Sequence, residues 1–322
     1  MKRPSFQHLS LRHPYLLALV LFILAILVNL YFQASLFEAG TINNNMRVFL
    51  PLVLLVAGEA VVILTGGIDI SVGSIVSIVS ALLATRVGID GSPDKTLLWF
   101  GIALLVGIAA GSFNGFFIAY LRLQPIITTY ATSFLFGGMA LFILPQPGGG
   151  IPASVANIYR TVTPLGLHWA FYVIPVLVLV WVLIRETRYG RYLFAVGGKA
   201  QAAYESAVPV SQVIFSTYVI SGFMAALAGI CIILLTGTGN PQIGEQMTLQ
   251  AITSVVIGGT AMSGGVGGIA GPLMGAVTLG LIKNIISFAN IDTWWQTFVN
   301  ASIIVAALAA PGVISLFRRS RS

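Results

Sequence analysis

The sequence predicts an all-α polytopic membrane protein, a single transmembrane domain over residues 1–322 with about ten transmembrane helices and an interrupted second and third span. Three observations predict it. Hydrophobic residues make up 57% of the 322 and charged residues only 8%, against about 25% charged in an ordinary soluble domain. Long apolar runs recur from one end of the chain to the other. The basic residues cluster in alternate gaps between those runs, as cytoplasmic loops require.

Runs long enough to cross about 30 Å of hydrocarbon lie at 15–37, 97–119, 124–145, 167–184, 211–236, 268–289 and 294–317. Shorter or interrupted runs lie at 48–65, 69–87 and 247–262. The first run follows Lys2, Arg3 and Arg12 but is too long for a signal-peptide core, and no small-residue cleavage site follows it. It is expected to be a retained first span. Ten crossings from a cytoplasmic amino terminus put eleven of the 16 Lys and Arg residues inside, among them Arg185, Arg188, Arg191 and Lys199. Arg47, Arg86, Lys95 and Arg160 fall outside, and Lys283 lies within a span. One crossing fewer in the middle would reverse the 185–199 group, so the positive-inside rule favours ten spans with both termini cytoplasmic. The net charge of +7 is accounted for by these loops against anionic lipid, and nucleic acid is excluded as a partner.

Glycines every four residues make flat grooves for helix packing. Gly107, Gly111 and Gly115 form one such stripe, and Gly267, Gly271 and Gly275 another. They fit an inverted repeat of spans two to five against seven to ten, or two independent packing grooves.

The most informative stretch is Thr65-Gly66-Gly67-Ile68-Asp69-Ile70-Ser71-Val72-Gly73-Ser74. It interrupts about forty apolar residues, twice a span. A non-helical turn at membrane depth is tolerated only where protein or water satisfies its peptide groups, so Asp69 faces a protein interior or an aqueous route. It is expected to cap the next helix near Ser71 and Val72, to contact a solute, or both. Gly66, Gly67, Asp69, Ser71, Gly73, Asn114 and Thr129 form the candidate substrate pathway. Thr128, Thr132, Asn284 and Asn300 are further polar groups in apolar runs, with interhelical hydrogen bonding as their default role. Glu59 and Lys283 pair across the bundle or snorkel separately to an interface.

The cytoplasmic loop 185–210 contains Gly197-Gly198-Lys199-Ala200-Gln201-Ala202-Ala203-Tyr204-Glu205, an alanine-rich segment of good helix propensity that Pro209 is expected to end. It suits either docking of a soluble partner or a plain connection. No G-x-x-x-x-G-K-[ST] occurs; Gly197-Gly198-Lys199 lacks the spacing and the Ser or Thr. Any ATPase is therefore a separate chain, and this chain is expected to bind no cofactor. Cys231 is single, His8, His13 and His168 are scattered, and no metal site is expected.

These motifs resemble the membrane permeases of ribose-type ABC sugar importers. Gly66-Gly67-Ile68-Asp69-Ile70-Ser71-Val72-Gly73 is similar to that family's G-G-I-D-L-S-V-G signature. Tyr189-Gly190-Arg191 with Phe194 to Gly198 and Ala202-Ala203 resembles its cytoplasmic loop, and Ile257 to Gly267 its late glycine-rich motif. Three departures stand out. Ser206-Ala207-Val208 replaces S-G-I, Tyr130-Ala131-Thr132 replaces L-G-T, and Gly271-Pro272 replaces G-T. The resemblance implies a transport subunit of the bacterial cytoplasmic membrane with the ten-helix fold of vitamin B12-type importer permeases. It would be coupled through Gly197, Gly198, Lys199, Ala202, Ala203, Tyr204 and Glu205 to a cytoplasmic ATP-binding-cassette ATPase. It also implies a second permease, either a copy or a paralogue, and an extracytoplasmic sugar-binding protein. An ion-coupled carrier is the alternative; it would draw its ion ligands from Asp69, Glu59 and Lys283.

Overall fold

The computed structural model describes residues 16–290, together with 292, 294, 295, 297, 298, 301, 302 and 305. Its regular structure there is helical: α1 (Leu16–Phe32), α2 (Ala39–Leu64), α3 (Val72–Arg86), α4 (Pro93–Ala119), α5 (Pro125–Ile143), α6 (Ala153–Thr161), α7 (Ala170–Glu186), α8 (Arg188–Glu205), α9 (Val210–Thr236), α10 (Glu245–Ile257) and α11 (Ala270–Phe288). Nine of the ten predicted apolar runs coincide with a helix. The tenth, 294–317, lies outside the continuously described residues, as does Asn300. Five helices (α2, α4, α5, α9 and α11) are each long and apolar enough to cross a membrane.

Helix α2 is the axis of the molecule. At about 1.5 Å per residue its 26 residues span roughly 39 Å, and from Phe49 to Leu64 every residue is buried. A helix apolar on all sides has to be surrounded by other helices; α9, α10, α11, α7 and α8 pack against it. Helix α9 also packs on α4 and α3, and α5 packs on α3. Helix α1 reaches the bundle through α11, where Asn29 Nδ2 donates to the Leu281 carbonyl at 2.8 Å. Asn284 Nδ2 of α11 donates to Asn45 Oδ1 of α2 at 3.1 Å, the interhelical role expected of it.

Gly107, Gly111 and Gly115 are the close-approach stripe the sequence indicates. Built Cβ atoms there would strike the backbone of Gly222, Tyr218 and Phe215 on α9. Gly271 and Gly275 fit α11 against Gly258 and Ser254 at the end of α10. The two stripes therefore face non-equivalent neighbours, because an inverted repeat that pairs α4 on α9 would pair α11 on α2. Gly267 requires a correction. It precedes α11 in a loop with φ of 127° and packs on Thr260, so it serves a turn and not a helix groove.

Segment 185–210 also differs from expectation, in its extent and in how it ends. It is mostly helical, meets α7 at 81°, and begins with the Thr187 side chain accepting from the Gly190 amide at 3.2 Å. Lys199 breaks its helical geometry (φ −161°, ψ 97°). Pro209 does not end it. The helix stops at Glu205, Ala207 turns the chain with φ of 61°, and Pro209 caps α9 instead.

Candidate functional site

Two glycines and one carboxylate turn the chain at the end of α2. Gly66 adopts φ of 82°, and the Gly66 and Gly67 amides close back on the Ile63 and Val62 carbonyls at 2.9 and 3.2 Å. The next peptide groups leave the helix; side chains from α2, α5 and α10 bond them, and side chains from α4 and α9 bond the Ser71 and Asp69 side chains. Asp69 Oδ1 accepts from the Ser71 amide at 3.0 Å and the Ser71 hydroxyl at 2.7 Å. Asp69 Oδ2 accepts from Ser221 Oγ of α9 at 2.9 Å. The Asp69 amide donates to Glu59 Oε1 of α2 at 3.2 Å, and the Ile70 amide to Thr129 Oγ1 of α5 at 3.1 Å. Asn114 Nδ2 of α4 donates to Ser71 Oγ at 2.7 Å, and Thr248 of α10 receives the Gly73 amide at 3.1 Å.

Glu59, Asp69, Ser71, Asn114, Thr129 and Ser221 are all at most 1% exposed. A carboxylate buried to that degree is tolerable only with several charge-assisted partners, and Asp69 has three. Its role in this conformation is that of a turn-former inside protein. Glu59 Oε2, Asn114 Oδ1 and the Tyr218 hydroxyl are buried beside it without a partner, and a Cβ on Gly67 would sit 2.5 Å from that hydroxyl. Glu59 thus belongs to the break, and Lys283 lies elsewhere, level with Val48 to Leu52 of α2. Polarity inside an apolar run flagged Asn114 and Thr129. Ser221, Tyr218 and Thr248 carried the same signal and went unread.

The same break forms a junction with α8 and the loop before α11. The Gly265 amide donates to the Leu64 carbonyl at 2.9 Å. A Cβ on Gly264 would meet the Gly66 amide nitrogen and the Gly197 carbonyl, both at 2.8 Å, and one on Gly265 would meet Gly198 Cα at 2.7 Å. Gly197 lies directly on the Leu64 carbonyl. Three stretches distant in sequence, 64–67, 197–198 and 263–265, therefore touch backbone to backbone. Farther along α8, Ala203 is buried while Ala202, Tyr204 and Glu205 are exposed, which leaves one face of its end open. Burial pushes the Tyr189 phenol above its usual pKa, and its hydroxyl pairs with Ser216 at 2.6 Å, fixing α8 to the start of α9.

A second break mirrors the first. Shifted by 171 positions, Thr65 falls on Thr236, Gly66 on Gly237, Asp69 on Asn240 and Gly73 on Gly244. Gly237 adopts φ of 78° where Gly66 has 82°, and Asn240 Oδ1 accepts from the Gln242 amide at 2.9 Å as Asp69 does from Ser71. The two breaks meet at Gly73 and Gly244, each lying on the other's carbonyl. The Gly73 amide donates to Thr248 Oγ1 and the Gly244 amide to Ser77 Oγ, both at 3.1 Å; Ser77 and Thr248 are themselves a matched pair. This reciprocity is local two-fold symmetry. The T-G-x-x-[DN]-x-x-x-G pattern is the signal that would have found it. At its far side the second break is held by Gly148 paired with Gly239, by the Ile151 amide on the Gly237 carbonyl at 3.3 Å, and by Arg160 Nε on the Leu234 and Leu235 carbonyls at 3.2 and 2.9 Å.

A family model described as the permease component of branched-chain amino acid transport systems matches residues 41–308. The chain belongs to that permease family. The ribose import permease protein of Escherichia coli strain K12 is 31% identical over 276 residues, 83% of this permease and 85% of the relative. The D-allose transport system permease protein of the same strain is 32% identical over 299 residues, 91% of each chain. The autoinducer 2 import system permease protein of Yersinia pseudotuberculosis is 31% identical over 269 residues, 81% of this permease and 74% of the relative. No solved structure matches the chain. As a permease it is a multi-pass membrane transport component and not an enzyme, and the three motifs that resemble sugar importers are the three that meet at the junction with α8.

Proposed function

We propose that this permease is the transmembrane subunit of an ATP-binding-cassette importer that moves a small sugar across the bacterial cytoplasmic membrane by alternating access. The carrying observation is the junction where Gly197 and Gly198 of α8 lie on the end of α2 and on Gly264 and Gly265. Close-packed backbones transmit displacement with little slack. A soluble ATPase engaging the exposed face of α8, at Ala202, Tyr204 and Glu205, would therefore act directly on the turn that Asp69 organises. Names of relatives at 31–32% identity, for ribose, D-allose and autoinducer 2, support a pentose, a hexose or a related small sugar-like solute.

In this reading the whole chain forms one membrane domain that crosses ten times with both termini cytoplasmic, as the basic residues favour. It binds no cofactor itself, and ATP is used by the partner ATPase. The solute passes between this permease and a second one, identical or paralogous, after delivery by an extracytoplasmic binding protein. The break at 65–73 shapes the route, with Gly66, Gly67, Asp69, Ser71, Gly73, Asn114 and Thr129 rearranging together.

Purification of the tagged protein from its native membrane tests this. The expected result is a stoichiometric ATPase carrying G-x-x-x-x-G-K-[ST], whose hydrolysis rises when a sugar-loaded binding protein is added; a second permease in the complex would identify a heterodimer. A chain that purifies alone and moves solute in vesicles only under an ion gradient would reject the proposal and return Asp69 and Glu59 to the role of ion ligands.

A further inference from the structure

The two matched breaks are alike in backbone but lead into helices of different character. Helices α3 and α10 begin at Gly73 and Gly244 and pack through the same pairs of groups. Two positions beyond Gly73 stands Ile75, and four further on Val79, both fully buried. Their counterparts by the same 171-residue shift are Gln246 and Gln250. These line a cavity of about 290 Å³, with Lys283 of α11 on the same wall system and Phe49 and Leu52 of α2 closing its apolar side. One half of the repeat thus fills this place with packed hydrocarbon, and the other places two primary amides and an ammonium group around open space.

Gln246 and Lys283 are exposed and Gln250 is half-buried, and polar side chains set among apolar helices belong beside an aqueous route or another protein, because hydrocarbon leaves their hydrogen bonds unmade. Phe49 and Leu52 lie at the Arg47 end of the buried stretch of α2, which runs from Phe49 to Leu64, so the cavity sits at the end of that stretch remote from the α8 junction. It is about ten residues, or roughly 15 Å, up α2 from Glu59 and the Asp69 turn. We infer that Gln246, Gln250 and Lys283 form a solute-contacting subsite for a small polyhydroxylated molecule, separate from the buried cluster around Asp69. The chemistry fits: a primary amide both donates and accepts, and an ammonium donates up to three hydrogen bonds, so hydroxyl groups of either orientation are met. The size fits as well. The volume equals about ten waters at roughly 30 Å³ each, the scale of one pentose or hexose and not of an oligosaccharide. The apolar wall opposite the amides matches the C–H face of such a ring. Asp69 then governs when the route opens, and the glutamine cavity governs what travels along it.

The inference rests on the sugar-importer reading, and its test separates the two. The complete complex, with its ATPase and binding protein, is reconstituted in vesicles. Uptake of D-ribose and D-allose is measured beside ATP hydrolysis at saturating binding protein, for wild type and for Gln246→Ala, Gln250→Ala and Lys283→Met. The expected result is a fall in sugar moved per ATP of about fivefold to tenfold for each variant, the weight of one hydrogen bond. Stimulated hydrolysis stays within twofold of wild type, and Gln250→Asn restores part of the loss. As a second measurement, Gln250→Cys in a Cys231→Ala background is alkylated by a membrane-impermeant thiol reagent, and millimolar transported sugar slows the labelling. Unchanged uptake in all three variants would overturn the subsite, as would uptake and hydrolysis falling together, which marks a purely structural role. Wild-type vesicles that move neither sugar with ATP would instead reject the importer reading for these solutes, and with it the premise.

Discussion

The two breaks in this permease share a backbone plan and differ in chemistry. Both start from Thr-Gly at the end of a long helix, turn through a left-handed glycine (φ 82° and 78°) and use an Asp or Asn oxygen to hold the amide two residues on. Both deliver a short helix into the membrane interior through the reciprocal contact of Gly73 and Gly244. The first break, however, carries a fully buried carboxylate tied to Ser71 and Ser221, and sits on the junction with α8. The second carries neutral Asn240, is anchored to Gly148, Ile151 and Arg160 at the opposite end, and leads to a cavity lined in part by Gln246, Gln250 and Lys283. In the proposed reading this duplicated frame is divided between a half that receives force and a half that meets solute.

The largest expected effect comes from the shared contact. Gly73→Ala and Gly244→Ala each drive a methyl into the partner's carbonyl, where backbone has no room to yield. Either variant should reduce extracted, monodisperse protein several-fold by fluorescence-monitored gel filtration. Tolerance of one and not the other would break the two-fold relation. Next is the comparison of Asp69→Ala with Asn240→Ala. The first strands the Ser71 and Ser221 donors in a buried site, which costs about 3–5 kcal/mol for a broken buried charge network, and should abolish uptake. The second removes one turn hydrogen bond, worth about 1 kcal/mol, and should leave at least a tenth of the uptake. Gly197→Ala drives a methyl into the Leu64 carbonyl and should also lower the yield of monodisperse protein; the protein that survives should hydrolyse ATP with little transport.

The smallest effect concerns Ala207. Its φ of 61° places it in the region that disfavours a Cβ by about 1–2 kcal/mol. Ala207→Gly should raise the thermal midpoint of the detergent-solubilised protein by a few degrees at most, with uptake unaltered. A lowered midpoint would mean that the turn depends on the methyl.

Much of this was readable in the residues. Hydropathy located nine of the described helices, because a bilayer demands apolar length. The Asp69 turn was readable because a carboxylate and paired glycines have no reason to interrupt forty apolar residues otherwise. Helix α6 was missed, because Ala153–Thr161 is short and its burial comes from neighbours: Tyr159 donates to the Arg47 carbonyl at 2.7 Å, a contact 112 residues away. The glycine stripes were seen and partly misread, since spacing reports that something packs closely but not what packs there. Gly267 shows the limit most clearly, as its periodicity with Gly271 comes from a turn. The second break escaped notice because Asn240 carries no charge, so hydropathy gave it no emphasis, and the cavity beside Gln246 and Gln250 exists only once α2, α9, α10 and α11 are assembled.

The most direct test is transport by purified permease in proteoliposomes with its ATPase, with all ion gradients collapsed by ionophores and ATP supplied on the cytoplasmic side. Sugar accumulation that requires ATP and the binding protein, and that Asp69→Ala eliminates, is the expected result. Accumulation that tracks an imposed ion gradient and ignores ATP would contradict the coupling of α8 to the Asp69 turn and the importer reading with it.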